Sequence, residues 1–223
     1  MKIKFGSIVV NGSGKLGGHV YSSNRGGNYV RTLATPSNPQ TPAQQLGRQV
    51  FTTLTQGWSD LTQNQRDGWD SAVSDFERTD QFGDVRQLSG KGLYISLNKE
   101  LVLIEQPIVS VAPSPGSISF PGNFVPVIDA ALSTITMNFE NAPNIPGLVI
   151  RSSGVVTAGT SFVKDKLRNI AVNDIADDAV SLGTAYVNRF GSLVIGQKIA
   201  MSAYTVNSVG QRSPQLTIFA VVE

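Results

Sequence analysis

Residues 133–140 read STITMNFE. Ile135, Met137 and Phe139 alternate with Thr134, Thr136 and Asn138. A period of two puts apolar side chains on one face of a strand and polar ones on the other. The same texture recurs further along, in GLVIRSSGVV (147–156), TAYVNRF (184–190), SLVIGQ (192–197), KIAMSAYTVNS (198–208) and QLTIFAVV (215–222), the last after Pro214. Pro113, Pro115, Pro121, Pro126, Pro143 and Pro146 make long helices untenable there, because proline removes a donor and clashes in a helix interior. Short strands at regular intervals, separated by proline and glycine turns, predict an antiparallel β-sandwich over 107–223. One stretch, KDKLRNIAVNDIADDAV (164–180), fits a helical turn or a long loop equally well.

Upstream, residues 41–106 change period. Thr41 is a good N-cap, Pro42 suits the first helical position and Gln44 completes a capping box. Leu46, Val50, Leu54 and Trp58 follow in steps of four, one stripe of an amphipathic helix. Thr62 with Gln65 marks a second start, and Trp69, Val73 and Phe76 follow on one face. Two antiparallel helices clasped by Trp58, Leu61 and Trp69 are the simplest arrangement, with both tryptophans in the core. A loop over 79–92 then precedes a third apolar helix, about 93–104, ended by Pro107.

Residues 1–40 form a basic, glycine-rich arm that looks extended. KIKFGSIVV (2–10) is partly alternating, NGSGKLGG (11–18) is a flexible turn, and HVYSSNRGGNYVRTL (19–33) reads as two strands around a Gly-Gly turn. TPSNPQTP (35–42) spaces its prolines by three and reads as a stiff spacer. So few large apolar residues cannot make a core, so Phe5, Val20, Tyr21, Tyr29 and Arg31 are the candidates for contact with the body or with a neighbouring subunit. The fold class expected is therefore α+β: extended arm (1–40), small helical region of about three helices (41–106), then the sandwich (107–223).

The chain of 223 residues carries only 15% charged residues, with 14 Asn, 13 Gln and 22 Gly in their place. Soluble domains average about 25% charged, so this surface suits a protein that buries much of itself against neighbours. Net charge is +6 over 1–50, −3 over 51–100, −3 over 101–150 and +2 over 151–223. The six basic residues of the first block are sparse for nucleic acid, and docking onto protein fits them better. No cysteine is present, which excludes disulfides, thiolate metal sites and cysteine nucleophiles. No apolar run approaches the ~20 residues that span a bilayer. The opening has only a stub of a signal sequence's apolar region, so a soluble chain not exported by the usual route is expected.

Chemistry finds little purchase. Gly12, Gly14 and Gly17 spell GxGxxG, but a β-like stretch follows where a dinucleotide site needs a helix, and the first acid anywhere is Asp60. His19 is the only histidine and has no evident triad partners. Asn173, Asp174, Asp177 and Asp178 could offer oxygens to calcium, without EF-hand spacing. Asp67 and Asp70 share a helix face and read as supports for the helix start or partners of Arg66. No catalytic set, cofactor or metal site emerges, and a non-enzyme is expected.

Two resemblances add context. IAMSAYTVNSVGQRSPQLTIFAVV (199–222), with Tyr204, Val206 and the turn over 207–214, resembles the last hairpin of a fibronectin type III or related immunoglobulin-like domain. Residues 29–69 are similar to a segment found in uncharacterised proteins of bacterial genomes, prophages and tailed phages. That segment has an arginine, an NP-x-T-x-x-Q element, an arginine-bearing helix, W-x-x-L-T and R-x-x-W. The matching positions are Arg31, Asn38, Pro39, Thr41, Gln44, Arg48, Trp58, Leu61, Thr62, Arg66 and Trp69. This resemblance implies a virion structural protein of a tailed bacteriophage (head, neck or tail), made in the host bacterial cytoplasm. Its partners would be other copies of itself and other virion proteins. The alternative is a fibre or surface binding module that presents sandwich loops, residues 206–212 and 151–154, to a glycan or protein. No cluster of aromatics marks those loops for sugar stacking.

Overall fold

The structure, a computed structural model, describes residues 1–6, 11–80, 82–116, 118, 123–129, 134–139, 147–172 and 179–222. In chain order its elements are β1 (Gly14–Leu16), β2 (His19–Asn24), β3 (Gly27–Thr32), α1 (Pro42–Asp60), α2 (Gln63–Ser71), a 3-10 turn (Ala72–Phe76), β4 (Arg78–Thr79), β5 (Val85–Arg86), α3 (Gly90–Leu103), β6 (Phe124–Asp129), β7 (Thr134–Phe139), β8 (Leu148–Ser152), β9 (Arg168–Val172), β10 (Ala179–Ser181), α4 (Gly183–Phe190), β11 (Lys198–Thr205) and β12 (Leu216–Val221). The chain is thus a mixed α+β protein with antiparallel sheets.

Two sheets build the C-terminal half, one ordered β10-β7-β6 and the other β12-β11-β8-β9. The alternation in β7 does what its period demands: Ile135, Met137 and Phe139 are buried while Thr134 and Asn138 are exposed. Those residues join Phe124, Ile128, Leu148, Ile150, Ile199 and Met201 in one core shared by both sheets. Pro126 is tolerated because β6 is an edge strand. β11 is buried along nearly all its length. Its second face is covered too, by Leu101 of α3 and its C-cap Ile104 against Tyr204 and, further along, by Val156, Val163 and Leu167 around Ala200. A strand covered on both faces reads as a nearly continuous apolar run, so the alternation expected of KIAMSAYT is not matched by alternating burial.

TAYVNRF is a helix, not a strand. Leu182, Tyr186 and Phe190 fall on one face in steps of four, and Leu182 and Tyr186 enter the shared core with Phe190 packed against it. Gly191, at φ 91°, ends the helix in a conformation that L side chains rarely adopt. SLVIGQ is not a strand either, and its Val194 and Ile195 are exposed. The ambiguous stretch 164–180 contributes β9 and the start of β10, whereas 173–178, with Asn173, Asp174, Asp177 and Asp178, lies outside the described residues. Pro121, Pro143 and Pro146 lie outside them as well.

In the helical region both expected starts are used. Thr41 Oγ1 accepts the Gln44 N–H at 3.4 Å with Pro42 in the first turn, but the Gln44 side chain does not return the bond, so the capping box expected there is half made; Thr62 and Gln65 make a complete one. The expected clasp of α1 against α2 is replaced by a different arrangement, in which each packs along α3. The reason is Tyr94, whose ring meets Trp69 edge-on at 5.3 Å and Trp58 at 5.5 Å. The loop expected over 79–92 includes the small β4–β5 hairpin.

The first 40 residues are less extended than expected. NGSGKLGG supplies strand β1, so 14–32 is a three-stranded antiparallel meander, and Lys2 adds a bridge to Tyr29 on the outer side of β3.

Candidate functional site

Opposed residues in the meander pair Val20 with Arg31, Tyr21 with Val30 and Ser22 with Tyr29. Strand alternation therefore sends Val20 and Tyr29 to one face and Tyr21 and Val30 to the other. Neither face gathers enough apolar surface to form a core. Val20, Tyr21 and Tyr29 are half-buried, Arg31 is exposed, and the Phe5 ring lies against Gly12, where a Cβ would come within 2.9 Å of it. Among the described residues, the four apolar clusters draw on nothing before Val50.

What ties this meander to the rest is charge. Lys2 pairs with Asp80, and Lys4 pairs with Asp84 at 2.7 Å. The Lys4 ammonium also lies 5.5 Å from the centre of the Phe82 ring. Asp80 is pre-set for its role: one carboxylate oxygen accepts the N–H groups of Phe82 and Asp84 at 2.7 and 3.2 Å, leaving the other for Lys2. The Lys2 hydrogen bond, seconded by that of Phe82, holds the Asp80 carboxyl below its ordinary range. The hydrogen bond and charge of Asp84 raise Lys4. Between meander and hairpin lies an open cleft of about 420 Å³ lined by Lys2, Arg25, Asp80, Asp84 and Arg86.

Of the expected helical core, Leu54, Leu61 and Trp69 are buried, while Val50 and Trp58 are half-buried. Leu46 is not core: it is 62% exposed. With Phe51 it borders a groove of about 920 Å³ that also touches Lys99, Arg151, Tyr204 and Arg212. Tyr94, unremarked in the sequence, is the centre of the cluster. Burial, with Asp60 adding to it, raises its hydroxyl pKa. Trp69 donates its indole N–H to the Ser110 carbonyl at 2.9 Å. Asp67 accepts from Gln63 at 2.7 Å, and Asp70 accepts the Gly90 N–H at 2.9 Å at the start of α3; Arg66 instead donates to the Ser59 carbonyl.

The segments considered as exposed binding loops are packed down. Val206 is buried, Gly210 presses on the Leu97 carbonyl of α3, and Arg212 forms an ion pair with the buried Glu100. The guanidinium also stacks 4.9 Å from the Tyr204 ring centre. Burial opposes the Arg212 charge, but the hydrogen bond and charge of Glu100 outweigh it and raise the arginine. Near 151–154, Ser152 and Ser153 are fully buried and Gly154 packs on Phe190. The first segment thus joins α3 to the sheet and the second packs on α4, leaving Ser208 and Arg212 of the first exposed.

Gly12, Gly14 and Gly17 open onto β1 and β2 with no helix following, and His19 stands exposed on β2. Among the described residues no group of three or more His, Asp or Glu could hold a metal ion. Nor is any helix among them long and apolar enough to cross a membrane.

No family model matches the chain, and no curated protein does. Three solved structures show slight likenesses. A Fn3-like protein from Clostridium thermocellum is 16% identical with a TM-score of 0.32, covering 47% of this chain and 92% of that one. The fn3 domain of human collagen alpha-1(XX) chain is 13% identical with a TM-score of 0.32, covering 50% and 90%. A beta-1,2-glucanase from Parabacteroides distasonis is 15% identical with a TM-score of 0.35, covering 52% of this chain and 14% of the glucanase.

Proposed function

We propose that this chain is a non-enzymatic structural subunit that assembles in many copies through its first 40 residues. The observation that carries the reading is the N-terminal meander: it adds nothing to any apolar cluster among the described residues and is held by ion pairs to one small hairpin. A segment with that composition and that attachment is organised for contact outside its own body. Its outer strand β1 has an edge suited to strand addition, in which main-chain hydrogen bonds supply affinity. The body is read as a sandwich of fibronectin type III or immunoglobulin-like type, on the ground that two antiparallel sheets share one core. The setting of a tailed-phage particle, with other virion proteins as partners, is supported by the resemblance of residues 29–69 and by the amide-rich, weakly charged composition.

Light scattering on the full-length protein and on a form lacking residues 2–40 tests this. The full-length chain should form a multimer and the shortened one a folded monomer. Equal masses for the two would overturn the proposal.

A further inference from the structure

We propose that the β4–β5 hairpin is the receptor for the N-terminal meander of a second copy of this chain, with Asp80 and Asp84 taking Lys2 and Lys4 in trans. This rests on the reading that the chain assembles through its first 40 residues, and it names the surface they meet. Charge gives the match. The first 50 residues hold six basic groups and no acid, and two of those groups already sit on the hairpin's carboxylates. The outer half of the joint is open: it is bordered by a polar cleft, and Lys4 and Asp84 keep 64% and 55% of their side-chain surface in solvent, whereas Lys2 and Asp80 keep 24% and 7% and form the specific anchor. Leaving the hairpin in cis and reaching the same hairpin on a neighbour exchanges like contacts for like, which is the low-cost condition for swapping.

The connection allows it. Residues 33–41 run exposed with no helix or strand, tethered by a 2.7 Å hydrogen bond from Arg48 to Asn38. Extended at about 3.1 Å per residue, that stretch spans roughly 28 Å. Just before α1, Gln40 sits at φ 50°, a left-handed conformation uncommon outside glycine. Strain at the hinge of the cis path favours a path in which the linker straightens.

Two charge-reversed full-length proteins make the test. One carries Lys2→Glu and Lys4→Glu, the other Asp80→Lys and Asp84→Lys. Each alone juxtaposes like charges both in cis and with its own copies, whereas a mixture restores both pairs, but only between unlike chains. Native mass spectrometry should show 1:1 heteromeric species in the mixture and none from either protein alone. A mixture that holds only the species each protein forms alone overturns the proposal. Because the chain has no cysteine, a second readout is clean. Differently tagged Lys2→Cys and Asp80→Cys chains, treated with a short bis-maleimide, should give a product carrying both tags. A Lys2→Cys, Asp80→Cys double variant that links only within one chain, with no mixed product, overturns it. Should the form lacking residues 2–40 keep the full-length mass, the assembly reading itself falls. Should that deletion dissociate the multimer while reversed chains fail to pair, assembly stands and the hairpin as receptor falls.

Discussion

Gly210 turns at φ 81° with its α-carbon against the Leu97 carbonyl, so a methyl group there meets both a forbidden conformation and a backbone oxygen. Gly210→Ala should cost about 1–3 kcal/mol, read as a lower urea midpoint with an unchanged slope. Beside it, the Glu100–Arg212 pair is asymmetric: the carboxylate side chain is 5% exposed and the guanidinium 46%. Arg212→Ala strands a buried charge, whereas Glu100→Gln leaves a cation that water can reach. The arginine change should therefore be the more damaging. Its cost should be about 1–3 kcal/mol, less than the ~3–5 kcal/mol seen when fully buried pairs are broken, because solvent screens half of this one. The α1 stripe makes a third contrast. Leu54→Ala empties a fully buried site and should cost about 2–5 kcal/mol, but Leu46→Ala, at a position 62% exposed, should shift the midpoint little. Equal losses at the two positions would mean that the groove beside Leu46 is closed in solution.

Among the elements, α3 is the keel. Tyr94 and Leu97 close the helical cluster, while Leu101 and Ile104 lie with Val149, Tyr204 and Val206 of the β region. Leu101→Ala should therefore lower tryptophan fluorescence and far-UV CD transitions together, by about 2–5 kcal/mol. Separate transitions would show that the two regions unfold independently. The role of α3 was poorly legible from residues alone, because GKGLYISLNKELVL carries Asn98 and Glu100 on its buried face and Ile95, Val102 and Leu103 off it, which blurs the apolar stripe. By contrast α1 and α2 announce themselves through Thr41, Pro42, Thr62 and Gln65, and β7, β8, β11 and β12 through their apolar runs. Local capping chemistry and one-sided burial leave a periodic trace in the chain. What leaves none is a contact between distant segments, such as Gly210 on Leu97 or Asp70 on Gly90. TAYVNRF misleads for a related reason: its aromatic and β-branched residues favour a strand, and the core beneath Tyr186 imposes a helix instead. Among the described residues the contact candidates of the arm enter none of the apolar clusters, and the acidic groups they lie beside, Asp80 and Asp84, are hidden in what reads as a loop.

At the scale of the whole molecule, the body is held by apolar burial and the N-terminal meander by charge, so solution conditions should separate them. High salt shortens the screening length to about 3 Å at 1 M, which weakens the exposed Lys4–Asp84 pair most and the more covered Lys2–Asp80 pair less, and leaves apolar cores intact. The pH window follows from the two shifted groups. Asp80 is depressed, so its contribution is complete above the ordinary carboxylate value and is lost as pH falls through the lower folded value. Lys4 is raised, so its contribution is complete below the ordinary lysine value and is lost as pH rises through the higher folded one. Docking is thus strongest from weakly acidic to weakly alkaline pH. A small sheet without a core is marginal once undocked, so amide hydrogen exchange over residues 14–32 should quicken in 1 M salt or at low pH. Exchange over 198–205 should stay slow, because β11 is covered on both faces. If both regions quicken in step, the meander is held by the same apolar packing as the body, and charge is not what attaches it.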